Sequence, residues 1–199
     1  MKIAEKGELT VLSQEILERL ESYVSGGEKI FSTSSFQTQS LPLLHIISES
    51  GLDIPVYFTN TGFLHAETIS FAEYVSELLD LQLIQLYPDI PKVNQLNHEG
   101  RFLYTSDPDF CCHLNKIAPL ERILYENDIW VNGVRADQSP ARANLSEEQQ
   151  GKHNCKRYHP MLYWNSKLIY NYRKLHSLPE HPLEKQGYFS VGCEPCTSK

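Results

Sequence analysis

The chain has 199 residues, 41% of them apolar, and a formal net charge of -7 with a pI near 5.6, which suits one packed core. The acidic balance argues against a nucleic-acid partner, which needs a basic surface, but leaves room for a small anion held by a few placed cations. No run of about 18 apolar residues exists to span a membrane, and Met1-Lys2-Ile3-Ala4-Glu5-Lys6 has no signal-peptide apolar run, so a cytoplasmic protein without a membrane partner is the expectation.

In chain order, Ser13 is expected to cap a first helix with Ile16, Leu17, Leu20 and Tyr23 at helical spacing, ended by Gly26-Gly27. Lys29 to Ser34 reads as a strand, and Leu41 to Ser50 as a buried helix closed by Gly51. Pro55 to Asn60 is a second strand and Thr61-Gly62 a turn. Glu67 to Leu79 is an amphipathic helix whose apolar face carries Phe71, Val75, Leu78 and Leu79. Gln82 to Tyr87 is a third strand, Cys112 to Leu124 is helical, and Ile129 to Val134 is a fourth strand. Strands alternating with helices predict an α/β fold with a mainly parallel sheet flanked by helices. On such sheets ligands bind beyond the carboxyl ends of the strands.

Two of the loops there carry ligand-binding chemistry. Ser34 to Ser40 is polar and leads straight into a helix, whose free N–H groups and positive dipole end suit an anion; an ordinary capped loop is the alternative. Beyond the fourth strand, Arg135 and Arg142 are forks for phosphate or sulfate oxygens, or else two solvated surface arginines. The third loop, Asn60-Thr61-Gly62, carries little signal by itself.

Of five cysteines, Cys111-Cys112 form an adjacent pair and Cys193-Glu194-Pro195-Cys196 a C-x-x-C. Four thiolates suit an iron–sulfur cluster or a tetrahedral zinc; a redox pair or core thiols are the remaining reading. Adjacent side chains diverge, which is awkward for one zinc ion but not for a cluster offering several metal atoms. Cys155 sits in a basic stretch, Lys152 to Arg157, that lowers a thiol pKa if the thiol is exposed; a structural thiol is the favoured reading.

Asp107-Pro108-Asp109-Phe110-Cys111-Cys112, with Lys116 and Pro119-Leu120, resembles the first cysteine motif of bacterial adenylylsulfate reductases. Gly133 to Asn144 resembles their substrate-binding arginine segment. His181-Pro182-Leu183 and Gly187 to Thr197 resemble the second cysteine motif and its approach, and Thr61 to Leu64 with Glu67-Thr68 resembles the loop after the second strand. The resemblance runs from about residue 30 to the end, to the assimilatory adenylylsulfate (APS) / phosphoadenylylsulfate (PAPS) reductase family of iron–sulfur type.

The resemblance implies an adenine nucleotide α-hydrolase-like (PP-loop type) fold in a single domain over 1–199. Residues 1–28 would be an N-terminal helical segment, 29–145 the nucleotide-binding core, and 146–199 a C-terminal segment with the second cysteine motif. It places substrate on Ser35, Phe36, Gln37, Gln39 and Ser40 of a modified phosphate loop, on Thr61 and Gly62, and on Arg135 and Arg142. It implies a [4Fe-4S] cluster on Cys111, Cys112, Cys193 and Cys196, and a catalytic Lys116 between cluster and substrate. In the family a thiolate attacks the sulfonucleotide's sulfur, the nucleotide leaves, and thioredoxin or glutaredoxin then releases sulfite. A homo-oligomer is left open.

The sequence departs from the pattern in places. The family's attacking cysteine follows the C-x-x-C, whereas this sequence stops at Thr197-Ser198-Lys199; a catalytically incomplete nucleotide-binding protein, or a truncated form, is therefore the alternative. Asn115 stands where the family usually has arginine, Asn60 where aspartate is common, and Ala66 where proline is. The Gln39-Ser40 ending resembles enzymes that use the 3′-phosphorylated nucleotide, while the four cysteines resemble those that use adenylylsulfate.

Overall fold

The computed structural model describes residues 3–188 and 190–199; Met1, Lys2 and Phe189 of the second cysteine motif lie outside the described residues. The elements run α1 (Ile3–Ser25), β1 (Ile30–Thr33), α2 (Leu41–Ser50), β2 (Val56–Thr59), α3 (Ala66–Leu78), β3 (Leu83–Leu86), α4 (Leu103–Ser106) and α5 (Pro108–Cys112). A π-helical turn (His113–Ile117) joins α5 to α6 (Ala118–Glu126), followed by β4 (Ile129–Asn132), α7 (Pro140–Ala143), β5 (Glu148–Gln150), β6 (Lys156–Tyr158) and α8 (Ser166–Leu175). The strands form a six-stranded sheet in the order β3-β2-β1-β4-β6-β5. Every neighbouring pair is parallel except β5 with β6.

Strand alternation explains the layers. Ile30, Val56 and Phe58 point to one face, where they join Leu20 of α1, Leu44 of α2, Val75 of α3 and Ile169 of α8 in the main core. Phe31, Tyr57 and Trp130 point to the other face and pack with Ile123 and Leu124 of α6. Phe31 and Trp130 stack with ring centroids 6.2 Å apart. The chain leaves β1 towards β2 on one side and β4 on the other, so the strand order switches between β1 and β4. Crevices beyond the carboxyl ends of strands at such a point are where ligands bind.

Several expectations are corrected. Ser13 is not a cap: α1 begins ten residues earlier, and the Ser13 hydroxyl donates to the carbonyls of Leu9 (2.8 Å) and Thr10 (3.1 Å) inside the helix. Leu78, the last residue of α3, is 52% exposed, whereas Phe71, Val75 and, just past the helix, Leu79 are buried. The helical run around the first cysteine motif starts at Pro108 rather than Cys112, with the Asp107 side chain accepting from the Phe110 N–H as its cap. Elsewhere, α2 spans Leu41–Ser50 as expected, and Gly51 closes it in the left-handed conformation (φ 63°). Among the described residues no helix is long and apolar enough to cross a membrane.

Candidate functional site

The loop after β1 is built around a buried ring. Phe36 has a left-handed backbone (φ 52°), yet its side chain is fully buried and meets Phe58 edge-on at 5.5 Å. Burying a phenylalanine contributes about 1.5–3 kcal/mol, enough to offset the roughly 1–2 kcal/mol that a left-handed non-glycine residue costs. With Phe36 as anchor, the loop turns Ser35, Gln37, Gln39 and Ser40 towards the surface and Thr38 inward. The Ser35 and Ser40 hydroxyls approach to 3.4 Å, and no side chain caps the start of α2.

Ser35, Gln37, Gln39 and Ser40 form one wall of a cleft of about 560 Å³ at the strand-order switch. Gly133, Val134, Gln138 and Arg142 from the loop after β4 form the other wall, and Ser190 also lines it. Arg142 is the one cation among the lining residues, and its guanidinium is held by Gln138 Oε1. The cleft therefore offers hydroxyls, amides, a helix N-terminus and one guanidinium to an anionic ligand.

Arg135 is placed differently. It is 5% exposed and pairs through Nε with Asp137 (3.0 Å), through Nη1 with Gln39 Oε1 (3.1 Å) and through Nη2 with Ser166 Oγ (3.4 Å). Burial alone would raise the Asp137 carboxyl, but the hydrogen bonds and charge of Arg135, with hydrogen bonds from Ser166, hold it below the usual carboxylate range. Arg135 thus ties the β4 loop to Gln39 and to the start of α8. It lines an adjoining cavity of about 190 Å³ with Tyr170 and Arg173, which shares Gln37 and Gln39 with the cleft.

The cysteine motifs come together from distant parts of the chain. Cys111, Cys112, Cys193 and Cys196 line a common space with Phe63, Tyr104, Pro108, Asn115, Lys116 and Pro195. Leu64 bridges Cys193 as in an antiparallel ladder, and the Glu194 N–H donates to the Phe63 carbonyl at 2.7 Å. Thr61 is buried, its hydroxyl 3.3 Å from Cys193 Sγ, and Gly62 supplies the left-handed turn (φ 75°) that follows. Thr61, expected on the substrate, therefore faces the second cysteine motif, while Gly62 lies beside the Lys92 side chain. Lys116 Nζ lies 3.8 Å from Cys112 Sγ, one helical step below it.

All four of these thiols are free. Burial pushes the Cys111 thiol up, a hydrogen bond from Asn115 pulls it down, and the neighbouring Cys112, Cys193 and Cys196 push it up further. Among the described residues no three His, Cys, Asp or Glu side chains converge tightly enough to hold a single metal ion. The donor set around the shared space is nevertheless all sulfur, without carboxylate or imidazole, and Phe63, Tyr104, Pro108 and Pro195 line it beside the thiols. That chemistry fits a soft, thiolate-bound iron–sulfur group.

One short segment connects the two places. Ser190 lines the cleft, the Val191 N–H donates to Gln37 Oε1 at 3.4 Å, and Cys193 lies among the thiols. Upstream of it, His181 is fully buried: its N–H donates to Thr38 Oγ1 (2.8 Å) and its Nδ1 accepts from the Leu183 N–H (3.2 Å). That leaves the proton on Nε2, which faces Thr68 Oγ1 at 3.1 Å. Cys155 stands apart: it is fully buried and burial pushes its thiol up to about 11, so the basic residues beside it in sequence do not activate it.

The sequence reading missed Gln95, Gln138 and Ser190. The last two lie inside segments that carried the resemblance; nothing in the sequence signals Gln95, whose role depends on a contact 20 residues away with Asn115.

The sequence matches the phosphoadenosine phosphosulfate reductase domain over residues 29–199. Adenosine 5′-phosphosulfate reductase of Halalkalibacterium halodurans is 35% identical over 178 residues, covering 88% of this chain and 77% of the relative. The Burkholderia cepacia protein of the same name is 34% identical over 200 residues, covering 94% and 80%. The crystal structure of phosphoadenylyl-sulfate (PAPS) reductase from Candida auris, in a phosphate complex, superposes with a TM-score of 0.75 over 96% of both chains at 20% identity, and shares the fold. This chain belongs to the phosphoadenosine phosphosulfate reductase domain family, with that family's PP-loop type α/β fold.

Proposed function

We propose that the chain is a sulfonucleotide reductase. It converts adenylyl sulfate, or the 3′-phosphorylated form, to sulfite and AMP, or adenosine 3′,5′-bisphosphate, with thioredoxin or glutaredoxin as reductant. The observation that carries this reading is the adjacency of the two places. A polar cleft at the strand-order switch and a four-thiol site are joined by the segment from Ser190 to Cys193. The family and its relatives' names supply the substrate class.

In this reading 1–199 acts as one domain, and the nucleotide's anionic groups lie against Ser35, Ser40 and the start of α2, with Arg142 supplying positive charge. Gln37 and Gln39 line the wall, while Phe36 and Arg135 hold the loop in shape. Lys116 supplies a cation on the thiol side, where it favours negative charge developing on the departing groups. A thiolate attacks the sulfate sulfur, the bond from sulfur to the bridging oxygen breaks, and the nucleotide departs with that oxygen. A dithiol reductant then attacks the S-sulfonated sulfur, sulfite leaves, and the reductant's two thiols end as a disulfide. Cys155, fully buried with its thiol pushed up, does not serve as the nucleophile.

Cys111, Cys112, Cys193 and Cys196 hold a [4Fe-4S] cluster in this account. Spread thiols suit a group with several metal atoms better than they suit one ion. Bound there, the cluster would cross-link the two cysteine motifs and supply positive iron centres near the reacting sulfate. The experiment is an anaerobic assay of sulfite from each nucleotide, with thioredoxin and separately with excess small thiol. Sulfite with either reductant supports the reading. Its absence in both, from protein with iron bound, sinks it in favour of a nucleotide-binding role.

A further inference from the structure

Asn115 and Gln95 are each 1% exposed, and their side-chain amides form a reciprocal pair. Gln95 Nε2 donates to Asn115 Oδ1 at 2.8 Å, and Asn115 Nδ2 donates to Gln95 Oε1 at 2.7 Å. The second hydrogen of Gln95 Nε2 goes to the Ile90 carbonyl at 2.8 Å, so that amide is fully used. Pairing fixes which end of Asn115 is nitrogen, because a flipped amide would set oxygen against oxygen and nitrogen against nitrogen. One Asn115 hydrogen is left over, and two acceptors of Cys111 share it, the carbonyl being the nearer. Nδ2 is 2.8 Å from the Cys111 carbonyl oxygen and 3.4 Å from Cys111 Sγ.

We propose that the Gln95–Asn115 amide pair is a positioning device for Cys111: its fixed N–H is shared between the Cys111 carbonyl, the nearer acceptor, and the Cys111 sulfur, tying backbone and side chain together and holding the thiolate as a metal ligand. The proposal rests on the four-cysteine reading above and adds the residues that orient one of its ligands. The position where the family usually has arginine does not point a shorter polar group at the nucleotide in this chain; it turns inward to the thiol. Two adjacent cysteines thereby receive different neighbours four residues on: Cys111 a neutral, rigid amide, and Cys112 the ammonium of Lys116. An N–H directed at a thiolate withdraws charge from the sulfur and limits its rotation, and such outer partners commonly change metal affinity by about 10–100-fold.

The test uses anaerobically purified protein with iron bound, read by release of iron to a chelator and by the Fe–S stretching bands in resonance Raman spectra. The double variant Gln95→Leu/Asn115→Leu removes both amides together, so neither amide is left unpaired, although the Ile90 and Cys111 carbonyls each lose a donor. We expect it to melt within about 3 °C of wild type, yet to lose iron at least about 10-fold faster with shifted stretching bands. If the double variant fails to fold, Asn115→Asp, which still accepts from Gln95 Nε2 but loses its donation both to Gln95 Oε1 and towards Cys111, gives the same two readouts. Wild-type release rates and unshifted bands in the folded variant overturn the proposal. A wild-type protein that binds no iron overturns the underlying reading as well, and is told apart because no visible band is then present in either protein.

Discussion

The hydroxyl of Thr61 accepts the Phe63 N–H at 3.1 Å and lies 3.3 Å from the sulfur of Cys193. With its lone pair engaged by the backbone, the O–H is free to donate to sulfur, so the loop after β2 reads the position of the second cysteine motif. Thr61→Val removes both interactions while leaving the shape nearly unchanged. The expected cost is about 1 kcal/mol, a fall in melting temperature of roughly 2–4 °C, together with faster iron loss to a chelator. Thr61→Ser keeps the hydroxyl and should restore both. Equal behaviour of the Val and Ser variants would remove the hydroxyl from this account.

The two arginines of the β4 loop should separate cleanly. Arg142 lines the cleft and is exposed, so Arg142→Ala should change stability by less than about 0.5 kcal/mol and weaken nucleotide binding about tenfold. Arg135 is buried among Asp137, Gln39 and Ser166. Arg135→Ala should instead destabilise by about 1–3 kcal/mol, visible in urea denaturation without ligand. Parallel titration calorimetry and denaturation of both variants check this; the reverse pattern would place Arg135 on the ligand.

Stability should fall on mild acidification. His45, His159, His176 and His181 all have pKa values lowered, in each case chiefly by burial. The unfolded chain therefore binds protons at a higher pH than the native one does. The stabilisation is fully present above the ordinary histidine value of about 6.5 and is lost as pH falls through the lower folded values. The urea midpoint should be flat from about pH 8 to 7 and drop between about 6.5 and 5. A midpoint that holds or rises over that lower range would contradict the assignment.

Much of this was legible in the sequence, and what was missed has physical causes. β1, α2, β2, α3, β3 and β4 could be read because apolar runs are punctuated by glycines such as Gly51, whose φ of 63° suits that residue. β5 and β6 were not, because Glu148-Gln149-Gln150 and Lys156-Arg157-Tyr158 are three-residue, largely polar strands, β5 at the sheet edge and β6 just inside it, with no alternation to detect. The cleft loops and the four cysteines were legible as motifs. Their contacts were not: that Phe36 is an anchor rather than a wall, that Arg135 is committed to Asp137, and that Asn115 turns towards Cys111 all depend on partners from other elements. Cys155 shows the same limit, since basic neighbours in sequence count for little once the sulfur is fully buried.

The central claim is that two cysteine motifs 80 residues apart build one iron–sulfur centre. The most direct test is analysis of iron and acid-labile sulfide in anaerobically purified wild type, Cys193→Ser and Cys155→Ser. The account predicts about four of each per chain in wild type, the same in Cys155→Ser, and loss of both in Cys193→Ser. Zinc without iron in wild type, or full iron retained by Cys193→Ser, would contradict it.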